Sequence, residues 1–157
     1  MTIVIYLGLI PAVAFIDRQL KNDVEAQGKD DLPYDTFNDR ITITKAHNKG
    51  MSMNFLEERP DVVLKIHLTE TALFSLWYLP TLFKKGEVLK KLGGALALGG
   101  ALGNLSDRFT RGYVVDYILI KKWPFNKMIM NLSDIGIASG AVLSAAHVLL
   151  DSYKKAK

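Results

Sequence analysis

A chain of 157 residues, 49% of them hydrophobic and with a mean hydropathy of +0.13, is long enough for one domain and greasier than most soluble ones. The absence of cysteine excludes thiol catalysis, disulfides and Cys-based metal sites together. The net charge of +4 is gathered in KKGEVLKK at 84–91 and KKAK at 154–157, which argues against a nucleic-acid partner and suits membrane topology.

The first apolar stretch runs from Ile3 to Ile16 with Pro11 inside it and stops at Asp17. No basic region precedes it and no small-residue cleavage site follows, so it reads as a span, not a cleaved leader. The polar run 22–39 gives way to alternation, Ile41 and Ile43 against Thr42 and Thr44, then Met51, Met53 and Phe55 across the turn-like HNKG. This pattern predicts two short antiparallel strands on either side of that turn.

A second stretch, 62–83, is long enough to span but carries Lys65, His67 and Glu70. A charge at the centre of such a helix costs about 2.5–3.5 kcal/mol, so this helix is not expected to face lipid all round. The third stretch, 89–105, places Ala95, Gly99 and Gly103 on one face, a small-residue stripe that lets another helix approach closely. Beyond it Asn104, Asp107 and Arg108 fall at i, i+3 and i+4, so a persisting helix turns all three toward one side. The run VVDYILI at 114–120 reads as a strand, followed by a turn at Trp123 and Pro124, with Trp123 and Phe125 as interfacial anchors. The fourth stretch is 132–150. A core about 30 Å thick needs roughly 20 helical residues, about 17 at the least, so the first and third are short. Four spans put both termini and both lysine clusters on the cytoplasmic side, with 17–61 and 106–131 outside.

Two carboxylates stand at the edges of these segments, Asp116 in GYVVDY and Asp134 in MNLSDIG. Charges at membrane depth mark function, and two carboxylates brought together share one proton, splitting into a base and an acid able to activate water. That is the chemistry of an aspartic protease. Paired carboxylates also serve proton-coupled transporters, but four spans leave little room for alternating access. His67 and Glu70 have no third metal ligand in view, and His47 and His147 stand alone. No serine sits in a nucleophile motif, and neither metal nor cofactor is expected.

The blocks GGALGNLSDRFTRGYVVDY, NLSD at 131–134, AHNKG at 46–50 and DRQLK at 17–21 resemble signal peptidase II, the bacterial lipoprotein signal peptidase, over essentially the whole chain. The resemblance implies a mainly α membrane fold, a bundle of four transmembrane helices with a small extracytoplasmic β-cradle. It implies a single membrane-embedded aspartic peptidase domain over 1–157 in the bacterial cytoplasmic membrane, its active site near the outer surface. The implied substrates are diacylglyceryl-modified prolipoproteins cut before the lipidated cysteine. Membrane lipids are the other partners, nucleic acid is not one, and a monomer is expected. Asp116 and Asp134 become the catalytic pair. Asn48, Gly50, Gly100, Asn104, Arg108 and Asn131 become substrate-binding positions, while Asp17, Lys21 and Asp107 order the site, Asp107 by holding Arg108 or the following turn. Ser133, where alanine is usual, and the run Met51, Ser52, Met53, Asn54 depart from the family's pattern and bear on substrate fit. Two rival readings accompany this one, a non-catalytic lipoprotein-binding relative and a solubilised version of the same fold.

Overall fold

A computed structural model describes residues 3–28, 30–51, 54–122 and 128–157. Its elements in chain order are α1 (Ile3–Ala26), β1 (Tyr34–Thr36), β2 (Ile41–Asn48), α2 (Pro60–Tyr78), a 3-10 turn (Leu79–Phe83), α3 (Val88–Arg111), β3 (Val114–Ile120), β4 (Ile129–Met130) and α4 (Leu132–Lys155). The fold is therefore mainly helical with a small antiparallel sheet, ordered β1-β2-β3-β4.

α3 is the central helix, packed against α1, α2 and α4. Its small residues make this possible on several sides at once. A side chain at Gly99 would come within 2.7 Å of the Ile10 carbonyl oxygen of α1, one at Gly100 would overlap the Ser133 carbonyl of α4, and one at Gly94 would overlap the Tyr78 ring of α2. One apolar core joins Tyr6 and Ile10 of α1 to Tyr78, Leu82, Ala95 and Leu98. Tyr78 is fully buried and satisfies its phenol by donating to the Lys91 carbonyl at 2.7 Å, as a buried tyrosine must. A second core sets Val24 of α1 against Val115 and Tyr117 of β3.

Helix boundaries follow local chemistry. Pro60 opens α2, where its missing N–H costs nothing, and Gly112 closes α3 at φ 79°, a left-handed conformation that glycine takes without strain. α1 does not stop at Ile16 but runs ten residues further. Asp17 and Lys21 are four apart, meet as a buried ion pair and so continue the helix. The stretch expected at 62–83 is α2 only as far as Tyr78, because Pro80 tightens the remainder into the 3-10 turn.

The strands differ from expectation. Among the described residues, the region after HNKG holds no second strand: Met51 and 54–58 form turns, with Met51 N–H donating to the Phe55 carbonyl at 2.7 Å, while Ser52 and Met53 lie outside the described residues. β2 instead pairs with β1 and with β3, some seventy residues on. Between Ile43↔Ile118 and Ala46↔Asp116 the register shifts, two residues of β2 opposing the single Tyr117. This bulge brings Ala46 and Asn48 into phase with Asp116. The expected anchors Trp123 and Phe125, and the turn at Pro124, also lie outside the described residues.

Large apolar side chains cover the helix exteriors, among them Val4, Phe15, Leu73, Leu76, Val142 and Leu149. Among the described helices, α1 and α4 are each long and apolar enough to cross a membrane.

Candidate active site

Asp116 lies in β3 and Asp134 in the first turn of α4, and three asparagines from three elements join them. Asn131 is the N-cap of α4: its side chain accepts from Asp134 N–H at 2.9 Å, and Asp134 Oδ2 accepts from Asn131 N–H at 3.1 Å, a reciprocal capping box. The same asparagine donates through Nδ2 to Asp116 Oδ1 at 2.7 Å. Asn104 of α3 donates to the other oxygen of Asp134 at 2.8 Å, and Asn48 at the end of β2 donates to Asp116 Oδ2 at 3.3 Å. Each carboxylate is thus fixed through both oxygens, and Asn131 ties the two together.

Behind this layer sits a charged cluster without solvent access. Lys21 Nζ lies 2.6 Å from Asp17 and 3.1 Å from Asp107, and donates to Asn104 Oδ1 at 2.9 Å. An ammonium on Oδ1 leaves only Nδ2 to face Asp134, so Lys21 sets the amide orientation of Asn104. Asp17 is completed by Ser133, whose N–H and hydroxyl donate to its two oxygens at 3.1 and 2.7 Å. Asp107 accepts from Val115 N–H at 3.2 Å and pairs with Arg111 at 3.1 Å. It therefore holds the turn into β3 and not Arg108.

Arg108 turns to the opposite side. Its Nη2 donates to the Gly50 carbonyl at 2.6 Å, its Nη1 to the Lys49 carbonyl at 3.4 Å and its Nε to His67 Nδ1 at 3.2 Å. Below it a groove of about 390 Å³ runs between α2 and α4 over α3, lined mainly by apolar residues such as Phe74, Trp77, Ala101 and Ile137, and reaching Asn104 at its upper end.

Asp116 is only 5% exposed. Burial, and after it the negative charge of Asp134, push its carboxyl up to about 6, while the bonds from Asn48 and Asn131 pull the other way. A carboxyl poised there exchanges its proton near neutral pH beside a second carboxylate, which is what paired general acid and base catalysis requires.

The family model for signal peptidase (SPase) II matches residues 9–150. The chain belongs to the signal peptidase II family. The lipoprotein signal peptidase of Mesorhizobium japonicum is 33% identical over 88% of this chain and 81% of its own. That of Pseudomonas aeruginosa is 36% identical over 76% of this chain and 70% of its own. A solved structure described as a bacterial membrane enzyme superposes with a TM-score of 0.83, covering 96% of this chain and 90% of the other at 21% identity, so the fold is shared as well.

Against what the signal peptidase II resemblance implied, the structure gathers Asp116, Asp134, Asn48, Asn104 and Asn131 in one cluster, with Asp17, Lys21 and Asp107 behind it and Arg108 beside it. What approaches Gly50 and Gly100 is the chain itself. A side chain at Gly50 would come within 2.6 Å of the Asn54 backbone, and Gly100 receives α4. Ser133 is fully buried and faces Asp17, so its departure from alanine alters the charged cluster. The sequence shows no sign of several of these contacts, among them Lys21 to Asn104, Tyr117 hydroxyl accepting from Leu132 N–H at 3.2 Å, and His67 to Arg108. Only the N-cap had a local signal, Asn131 followed three residues later by Asp134.

Proposed function

We propose that Asp116 and Asp134 are the catalytic dyad of an aspartic endopeptidase that spans the bacterial cytoplasmic membrane four times, as one domain. As a signal peptidase II, the chain removes signal peptides from prolipoproteins, and the diacylglyceryl-modified precursor is the substrate that this family implies. The observation that carries the assignment is the convergence of Asn48, Asn104 and Asn131 on the two carboxylates. Asparagine amides orient both acids without adding charge, leaving one carboxylate to take a proton from water while the other supplies one to the leaving nitrogen.

Four spans are supported by the apolar exteriors of α1, α2 and α4, by the length of α1 and α4, and by the grouping of lysines at 84–91 and 154–157. In that arrangement both termini are cytoplasmic, the sheet and dyad lie toward the outer surface, and the chain acts as a monomer among membrane lipids. The groove between α2 and α4 receives the substrate's apolar signal segment, and Asn104 at its end, together with Arg108 bonded to the lining His67, holds the peptide backbone. The test is cleavage of a lipid-modified prolipoprotein by the purified chain, followed as a signal-peptide-sized shift. D116N and D134N are each expected to abolish the shift while keeping the helical circular dichroism of the parent in detergent. Turnover near the parent's in either variant would refute the dyad.

A further inference from the structure

His67 is half-buried on α2, faces the groove and forms the polar contact between that helix and the cluster around the dyad. An imidazole turned into a mainly apolar groove is costly unless its nitrogens are met, and what meets this one is the Arg108 guanidinium. Arg108 is 7% exposed and gripped on two sides, by the carbonyls of Lys49 and Gly50 at the end of β2 and by His67 of α2. Because guanidinium nitrogens only donate, His67 Nδ1 must be the acceptor and its proton must lie on Nε2. A doubly protonated ring has no lone pair to offer and sets a second positive charge against Arg108.

The charged groups around this contact are few. Arg108 faces His67 from α3, and Glu70 faces it from its own helix. Asp116 of β3, Asp134 of α4 and Asp107 of α3 act on the guanidinium by their charge, while the 49–50 segment meets it with two carbonyls and adds the exposed positive charge of Lys49. We propose that His67 is a positioning residue for the cleavage reaction: as a neutral acceptor it fixes the Arg108 guanidinium beside the groove, so substrate binding requires His67 unprotonated. This rests on the reading of Arg108 as a holder of the substrate backbone.

Steady-state cleavage of a lipidated prolipoprotein peptide by the full chain in detergent, across pH 5 to 8, tests it. H67L should raise KM by roughly five- to tenfold, the equivalent of one modest hydrogen bond, with kcat within about twofold of the parent. H67N should restore the parent's KM, because its Oδ1 reaches the place of Nδ1. The parent's KM should climb toward the acid end of that range, where the imidazole takes up its second proton, while that of H67N stays flat. In the R108A background, H67L should add nothing further.

An H67L enzyme with the parent's KM, H67N sharing the parent's acid rise, or full additivity with R108A would each overturn the positioning role. If H67L does not fold, the comparison of parent and H67N across pH decides alone. A parent chain that cuts no lipidated substrate would overturn the peptidase reading and this proposal with it. An active peptidase indifferent to H67L overturns the positioning role only.

Discussion

Replacing Lys21 with methionine keeps the side-chain volume and removes the one charge that two buried carboxylates share. Asp17 and Lys21 have no exposed side-chain surface and Asp107 has 4%, so water cannot take over the lost contacts at 2.6 and 3.1 Å. Removing one partner of a buried pair costs about 3–5 kcal/mol, mostly the penalty of the charge left behind. Asp17 would retain its two bonds from Ser133, and Asp107 those from Val115 and Arg111. These residual donors place K21M toward the lower end, at about 3 kcal/mol. The double variant D17N/K21M neutralises the worse-stranded carboxylate and should recover about half of that loss. Unfolding followed by circular dichroism during titration of mixed micelles with a denaturing detergent measures both. A loss below about 1 kcal/mol in K21M, or no recovery in the double variant, would refute the account of Lys21 as the charge that balances this cluster.

The raised Asp116 carboxyl makes a stability prediction whose sign is opposite to that of a salt-bridged aspartate. The folded state holds this proton to about pH 6 and the unfolded state only to about 3.8, so the stabilisation is complete below 3.8 and lost as pH rises through 6. The shift amounts to about 3 kcal/mol, so D116N should match the parent near pH 4 and exceed it by up to that amount at pH 8. A parent–variant difference that does not change with pH would contradict this. At Gly103, an added methyl would overlap Ser133 Oγ, so G103A should cost about 2 kcal/mol and G103A/S133A should regain part of it; additive losses in thermal unfolding would show that the two sites do not touch.

Much of the site was legible because its residues carry local signals. Asp116 ends an apolar pair in a strand-like run, Asp134 follows Asn131 at cap spacing, and Asn104 and Arg108 share a helix face four residues apart. What was not legible depends on partners distant in the chain. Alternation at 41–44 shows which face a residue takes, not which strand it pairs with, and the bulge after Ile43 breaks the period just where Asn48 matters. The resumed alternation at 51–55 reads as a hairpin arm, whereas Met51 and 54–58 turn and the Lys49 and Gly50 carbonyls receive Arg108. Asp17 looked like the end of a span because a lone carboxylate would end one. Its neutralisation by Lys21 and Ser133 is a tertiary fact. Asp107 and Asn104 meet at Lys21, whereas Arg108 turns to Gly50 and His67, a divergence that their shared spacing does not show.

α2 is held firmly at one end. It buries a single stripe, Val63, Thr71 and Tyr78, and Tyr78 is locked by its bond to Lys91 and by the ring seated on Gly94. From Tyr78 to Val63 is about 22 Å of helix, and the far end is fastened in turn by the fully buried Val63 and by the bond from Arg108 to His67. One wall of the groove is therefore pinned at both ends, so side-chain changes along α2 can reshape the groove without moving its wall.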